Sequence, residues 1–329
     1  MGPPLISRLS PREPKPEPMP QTDIPPVMGL REWLLLLALS GLWGGSFFFF
    51  KVLASALPPF TVALGRVGFA AIALNLLLAA RREWLPADPR LWAAFAVMGL
   101  LNNVAPFTLI VFGETRISSG LASILNATTP IFAVLVAHAL TGNEKLNWGK
   151  GFGVLFGLAG VVALVGPGVL SGLGRGDLAG EAACLLASLS YAFAGVYGRR
   201  FKGVAALKIA TGQITASALV LTPIAGLVDR PWNLPAPGVE VWLAFAGISL
   251  LSTALAYVLY FRILAVAGAT NLLLVTFLLP ISAMTLGALF LGESFGAQAL
   301  IGMALIGAGL AAIDGRLIKS TRARLARAA

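Results

Sequence analysis

Long apolar runs, separated by short polar or charged stretches, dominate this chain from residue 31 to residue 315. A helix needs roughly 20 mostly apolar residues to cross about 30 Å of hydrocarbon. Ten segments meet that requirement, at about 33–52, 59–80, 91–113, 117–140, 148–167, 178–198, 204–228, 239–261, 268–291 and 296–315. The loops between them are short, as a compact helical bundle requires. The pattern therefore predicts an all-α polytopic membrane protein with ten transmembrane helices.

The pattern also repeats. Phe112, Glu144, Gly153 and Gly160 recur as Phe261, Glu293, Gly302 and Gly309, each shifted by 149 positions, and Pro130 recurs as Pro280 after a shift of 150. Duplicated membrane units are the usual plan of solute carriers. Ten spans in two equivalent halves leave five per half, and an odd number turns the second half upside down relative to the first. The expected architecture is two inverted five-helix repeats, 31–167 and 168–315, flanked by a tail at 1–30 and a basic tail at 316–329.

Charge orients this bundle. With the N-terminus in the cytoplasm, 19 Lys and Arg residues fall on the cytoplasmic side and 4 on the other, with Arg66 inside a span. Basic residues gather on the cytoplasmic side of membrane proteins, so both termini are expected there.

Composition agrees with a bilayer as solvent. The chain is 57% hydrophobic and only 12% charged, too apolar to solvate its own surface. The net charge of +10 sits in clusters between apolar runs, which points away from nucleic acid as a partner. One Cys184 and one His138 cannot supply the ligands of a zinc site, and no cofactor is expected. Nine prolines among the first 27 residues predict a disordered tail. The apolar run that follows is long enough to span and lacks a cleavage signature, so it reads as a retained first helix and not as a secretory signal.

In such carriers the substrate sits near the bilayer midplane, where matched segments of the two halves are interrupted by Pro or Gly. Pro130 and Pro280 are that match. A proline lacks an amide hydrogen and clashes with the carbonyl four residues earlier, so the carbonyls of Asn126 and Thr276 should leave the helical ladder. Asn126 lies about 13 Å and Thr276 about 12 Å into their spans at 1.5 Å per residue. The third span adds Asn102, Asn103 and Pro106, whose freed carbonyl is expected at Asn102. These residues fit a cavity, and they also fit a purely structural role in bending helices and tying them together.

Trp43 and Tyr191 form a second matched pair, in SerGlyLeuTrpGlyGlySerPhe and LeuSerTyrAlaPheAlaGly, well inside their spans. With Phe107, Tyr257 and Tyr260 they could line a pocket for a partly apolar solute, or simply pack the interior. Arg66, whose counterpart lies near Gln213, is placed to grip a substrate carboxylate, although at roughly 10 Å depth it is also within reach of the surface by snorkelling. The acidic residues all lie in the tail, in loops or close to helix ends. A carrier without a midplane carboxylate is expected to work passively, down its solute gradient. Glycine faces in the fifth span (149, 153, 157 and 160) and small residues in the tenth (302, 304, 308 and 312) suit close packing of these spans against each other or between protomers, leaving monomer and homodimer both open.

Taken in order, LeuTrpGlyGlySer at 42–46, ThrProIlePhe at 129–132 with ThrGlyAsnGlu at 141–144, and LeuProIleSer at 279–282 with LeuGlyGlu at 291–293 resemble the EamA branch of the drug/metabolite transporter superfamily. The resemblance covers about residues 33–315. It implies a bacterial inner-membrane exporter of amino acids, aromatic or neutral, or of other small metabolites. By this likeness the substrate-binding residues are sought at Trp43, Arg66, Asn102, Phe107, Asn126, Pro130, Tyr191, Tyr257, Thr276 and Pro280. A channel-like or structural subunit is the main alternative. An intramembrane enzyme is disfavoured by the absence of a GxSxG motif, and an ATP motor by the absence of a phosphate loop.

Overall fold

The computed structural model describes residues 29–141, 148–165, 177–272 and 274–314, and every regular element among them is helical. The first copy contains α1 (Leu30–Ala54), α2 (Pro59–Ala80), α3 (Pro89–Gly99), α4 (Ala105–Glu114), α5 (Ser119–Asn126), α6 (Thr129–Leu140) and α7 (Trp148–Val165). The second contains α8 (Leu178–Tyr197), α9 (Ala206–Val228), α10 (Val239–Ala246), α11 (Ala256–Leu272), α12 (Val275–Leu291) and α13 (Ala297–Asp314). Two π-helical segments join α3 to α4 (Leu100–Val104) and α10 to α11 (Gly247–Leu255), making each pair a single rod.

Seven of these rods are long and apolar enough to cross a membrane, and three shorter apolar helices lie at 148–163, 278–291 and 297–312. Leu76, Leu155, Leu219 and Leu289 point outward from four different helices, an apolar exterior that suits lipid and not water. The chain is a multi-pass membrane protein. Glu144 and both tails lie outside the described residues.

Local chemistry explains where helices start. Asp88 caps α3 by accepting from the Arg90 amide at 2.9 Å, with Pro89 in the first helical position, where a missing amide hydrogen costs nothing. Ser118 caps α5 through the Leu121 amide, and Asp177 caps α8 through the amides of Ala179 and Gly180. The Arg116 guanidinium, 3.0 Å away, and these amides hold the Asp177 carboxyl below the usual carboxylate range. That contribution is present above the ordinary carboxylate range and is lost as pH falls through the lowered value.

Two boundaries differ from the sequence expectation. The rod ending in α11 continues to Leu272, and the next helix starts at Val275, not 268. No proline interrupts 262–272, and a lone Gly268 is too weak a breaker to stop a helix. The segment expected at 117–140 forms one span, Ser119–Leu140, with a kink between Asn126 and Thr129.

Small residues set the closest approaches. Helices α7 and α13 pack on each other along their small faces, where a Cβ at Gly160 would meet the Ile306 amide at 2.8 Å and one at Gly309 the Gly153 carbonyl at 2.6 Å. Helices α1 and α12 touch through Gly44, where an added Cβ would lie 3.0 Å from the Ala283 amide and the Leu279 carbonyl, and through a 2.8 Å hydrogen bond between Ser40 and Ser282. Fully buried Phe50, Leu53, Leu74, Ile124, Ile131 and Ile214 fill the space between the two copies.

Candidate functional site

A cavity of about 460 Å³ lies between the two copies of the repeat. Eight of the ten residues singled out from the sequence line it: Trp43, Arg66, Asn102, Phe107, Asn126, Tyr191, Tyr257 and Thr276. Tyr260 joins them, with its ring 5.7 Å from that of Trp43. Pro130 and Pro280 do not reach the wall; each sits four residues beyond a polar residue that does.

The two prolines act differently. At Pro130 the helix breaks; the Asn126 carbonyl is taken by Thr129 Oγ1 at 2.7 Å, and the Leu125 carbonyl accepts from both the amide (3.1 Å) and the hydroxyl (2.6 Å) of Thr128. At Pro280 α12 runs on without interruption. The Asn126 side-chain oxygen is left buried without a hydrogen-bond partner.

The third helical rod of each copy is opened by its π segment. A π register carries one extra residue per turn, and such bulges cluster at functional sites. Asn102 sits in the first, with Nδ2 donating to Gln213 Oε1 at 3.1 Å; Ser252 and Thr253 sit in the second. All four of these residues line the cavity. With Pro106 beyond a π turn, the carbonyl five residues back is the one deprived of an amide, and Ser190 Oγ donates to it, on Leu101, at 2.7 Å. The expected release at Asn102 therefore moves to Leu101. Asn103 lies outside the cavity, fully buried and donating to Ser217 at 3.0 Å, a tie between helices.

Arg66 does not snorkel. It is 7% exposed, its guanidinium carbon lies 3.8 Å from the ring centre of Phe107 and 4.8 Å from that of Phe50, and Nε donates to Thr253 Oγ1 at 3.2 Å. No acidic residue lines the cavity among the described residues. Glu114 and Glu181, close to helix ends as expected, are nonetheless buried, at 1% and 4% exposure, and both lie off the cavity wall.

One end of the bundle is pinned by polar contacts, most of them made by acidic groups at helix N-termini. Glu293 accepts from the Ser119 amide (2.7 Å), the Ser119 hydroxyl (2.9 Å) and the Gly120 amide (3.2 Å) at the start of α5. Asp229 accepts from the amide (2.6 Å) and hydroxyl (2.9 Å) of Thr61 at the start of α2. Asp177, the cap of α8, pairs with Arg116. Glu293 and Asp229 each meet the positive end of a helix dipole in the other copy, while Asp177 caps its own helix and reaches the first copy through Arg116. Lys51 satisfies the carbonyls of Glu114 and Ile117 beside them. Toward the opposite end the cavity wall continues through Met98, Gly198, Phe201 and Ile209.

Gly292 explains how Glu293 gets there. Its φ of 66° is left-handed, so α12 stops and turns back, with the amides of Gly292 and Glu293 both directed to the Gly287 carbonyl. Gly287 leaves room for the carboxylate, since a Cβ there would lie 2.5 Å from Glu293 Oε2.

The sequence profile of the EamA-like transporter family matches residues 31–166 and again residues 178–313. The chain belongs to this family. It carries the domain twice, and the cavity lies between the two copies. It is 26% identical over 254 residues to the uncharacterized transporter YoaV of Bacillus subtilis, covering 77% of this chain and 86% of YoaV. It is 28% identical over 256 residues to the uncharacterized inner membrane transporter YedA of Escherichia coli K12, covering 77% of this chain and 80% of YedA. One solved structure, titled only as the crystal structure of a protein, superposes with a TM-score of 0.61 at 20% identity over 86% of this chain and 97% of that one, a likeness of fold.

Several wall residues had no distinct signal in the sequence. Ser46, Ser252 and Thr253 look like ordinary helix hydroxyls until the π segment and the Gly44 contact turn them inward.

Proposed function

We propose that this EamA-like transporter exports small metabolites, aromatic or neutral amino acids among them, across the bacterial inner membrane by alternating access. In this reading ten spans form two inverted five-helix repeats, 31–167 and 168–315, with both termini in the cytoplasm. The cavity then faces the cytoplasm through the Gly198 and Ile209 end, and the end pinned by Glu293, Asp229 and Asp177 is the closed outer gate.

The observation that carries this reading is the cavity's composition from matched positions. Trp43 and Tyr191, and Asn126 and Thr276, are pairs related by the repeat, Gln213 lies near the counterpart of Arg66, and all six line the cavity. A cavity of about 460 Å³ suits a single small solute. Its walls combine eight aromatic side chains with polar groups that can fix orientation. The small-residue faces of α7 and α13 are occupied by each other, which favours the single chain as the working unit.

Counterflow in proteoliposomes tests the mechanism. Preloaded unlabelled amino acid should accelerate entry of labelled amino acid, because an alternating site returns loaded faster than empty; a channel gives no acceleration. Trp43→Ala and Asn126→Leu should each cut this flux at least about tenfold while folded yield is retained, in line with the loss of a positioned contact. Flux should persist when proton and sodium gradients are collapsed, and arrest under those conditions refutes passive transport.

A further inference from the structure

Arg66 is the one charged residue on the cavity wall among the described residues. It makes no ion pair with any described carboxylate. Its one hydrogen bond among the described residues runs from Nε to Thr253, and the outer edge of the guanidinium fork has no acceptor among them. The faces of Phe50 and Phe107 compensate a buried cation in part. A full counter-charge must come from what enters the cavity, and the fork matches a carboxylate in two parallel bonds.

Three further wall atoms are buried without a partner: Ser46 Oγ, Asn126 Oδ1 and Ser252 Oγ. They are neutral groups, so none of them supplies an anion. An ammonium group finds no anion on this wall, and near Arg66 it is repelled. A cargo carrying a carboxylate on a flat apolar body meets both demands of the wall, charge at Arg66 and aromatic surface elsewhere.

We infer that the cavity selects its cargo by a carboxylate held on Arg66 and does not require an α-ammonium group, so that its substrate class is amphipathic monocarboxylates, amino acids included. This rests on the transporter reading above and narrows it. Organic cations of the same size are excluded.

Three probes with the same ring and similar length separate the charges: 3-phenylpropionate (carboxylate only), L-phenylalanine (both groups) and phenethylamine (ammonium only). Equilibrium binding to the purified full chain in detergent is expected to place the two carboxylates within about tenfold of each other and phenethylamine at least about tenfold weaker. Arg66→Gln, which keeps a polar side chain and removes the charge, should weaken both carboxylates at least about tenfold and, with the repulsion gone, leave phenethylamine no weaker than before. Arg66→Lys should keep a weakened carboxylate preference, because it retains the charge and loses the fork. The wild-type ranking needs no variant to fold. Phenethylamine binding as tightly as 3-phenylpropionate, 3-phenylpropionate falling more than about 100-fold below phenylalanine, or neither carboxylate binding, overturns the inference. Failure of counterflow with this ranking intact strikes the alternating mechanism and leaves the inference standing.

Discussion

Gly309→Leu is expected to force α13 away from α7 and to lower stability by about 3 kcal/mol, near the upper end of overpacking costs. A Cβ at 309 would lie 2.6 Å from the Gly153 carbonyl, 2.7 Å from the Gly157 amide and 3.0 Å from the Gly157 Cα. All three are backbone atoms of a helix, so no rotamer change relieves the clash. In lipid the loss is felt fully, because close backbone contact and not expulsion of water holds membrane helices together. Gly307→Ala is the control: nothing lies within 4 Å of its Cβ position, and the gain in helix propensity should stabilise by up to about 1 kcal/mol. Thermal melting of the two variants in detergent separates them. Equal melting temperatures would mean that these two helices are not in contact.

Glu293→Gln is expected to loosen the pinned end. The carboxylate holds two amides and a hydroxyl at the start of α5, and hydrogen bonds to a charged group contribute about 1.5–3 kcal/mol. Glutamine keeps one acceptor oxygen but loses the charge that favours a helix N-terminus. The ratio of open to closed forms at this end should therefore rise roughly 10- to 100-fold, since about 1.4 kcal/mol is a factor of ten. Ile110 reports it, because it lines the cavity and is 2% exposed. In a Cys184→Ala background, Ile110→Cys should react correspondingly faster with a membrane-impermeant thiol reagent applied from that side. An unchanged rate would show that Glu293 is not part of a gate.

The membrane class, the duplication and several polar residues of the cavity wall were legible in the sequence because they rest on long apolar runs and on residues whose polarity is costly in lipid. Asn102, Asn126 and Thr276 had to face the interior, and they do. What the proline does was not legible from the proline. Thr129 precedes Pro130 and supplies a hydroxyl for the Asn126 carbonyl that the proline deprives of an amide, which lets the helix break; the residues at 277–279 before Pro280 are apolar and offer no such replacement, and the helix stays whole. Freed carbonyls persist in a membrane only where another donor takes them.

The π segments were not legible because hydrophobic periodicity has no register for one extra residue in a turn. Thr253 shows the signature only in space, its hydroxyl donating to the carbonyl of Ile248, five residues back, at 2.9 Å. Arg66 was undecidable for a different reason: seven residues from a helix end, surface and cavity are equally within reach. Phe50 and Phe107, brought over from α1 and α4, settle its place. The LeuGlyGlu motif likewise acquires its meaning from α5, a helix more than 170 residues earlier in the chain.

The central claim is that one cavity opens to each side of the membrane in turn. Ala127 lies on its wall at the break between α5 and α6, and Cys184 is the only native cysteine, fully buried. Ala127→Cys in a Cys184→Ala background should be labelled by an impermeant thiol reagent in both right-side-out and inside-out vesicles, and cargo that binds the cavity should slow both reactions. Labelling confined to one vesicle orientation under all conditions would contradict the account.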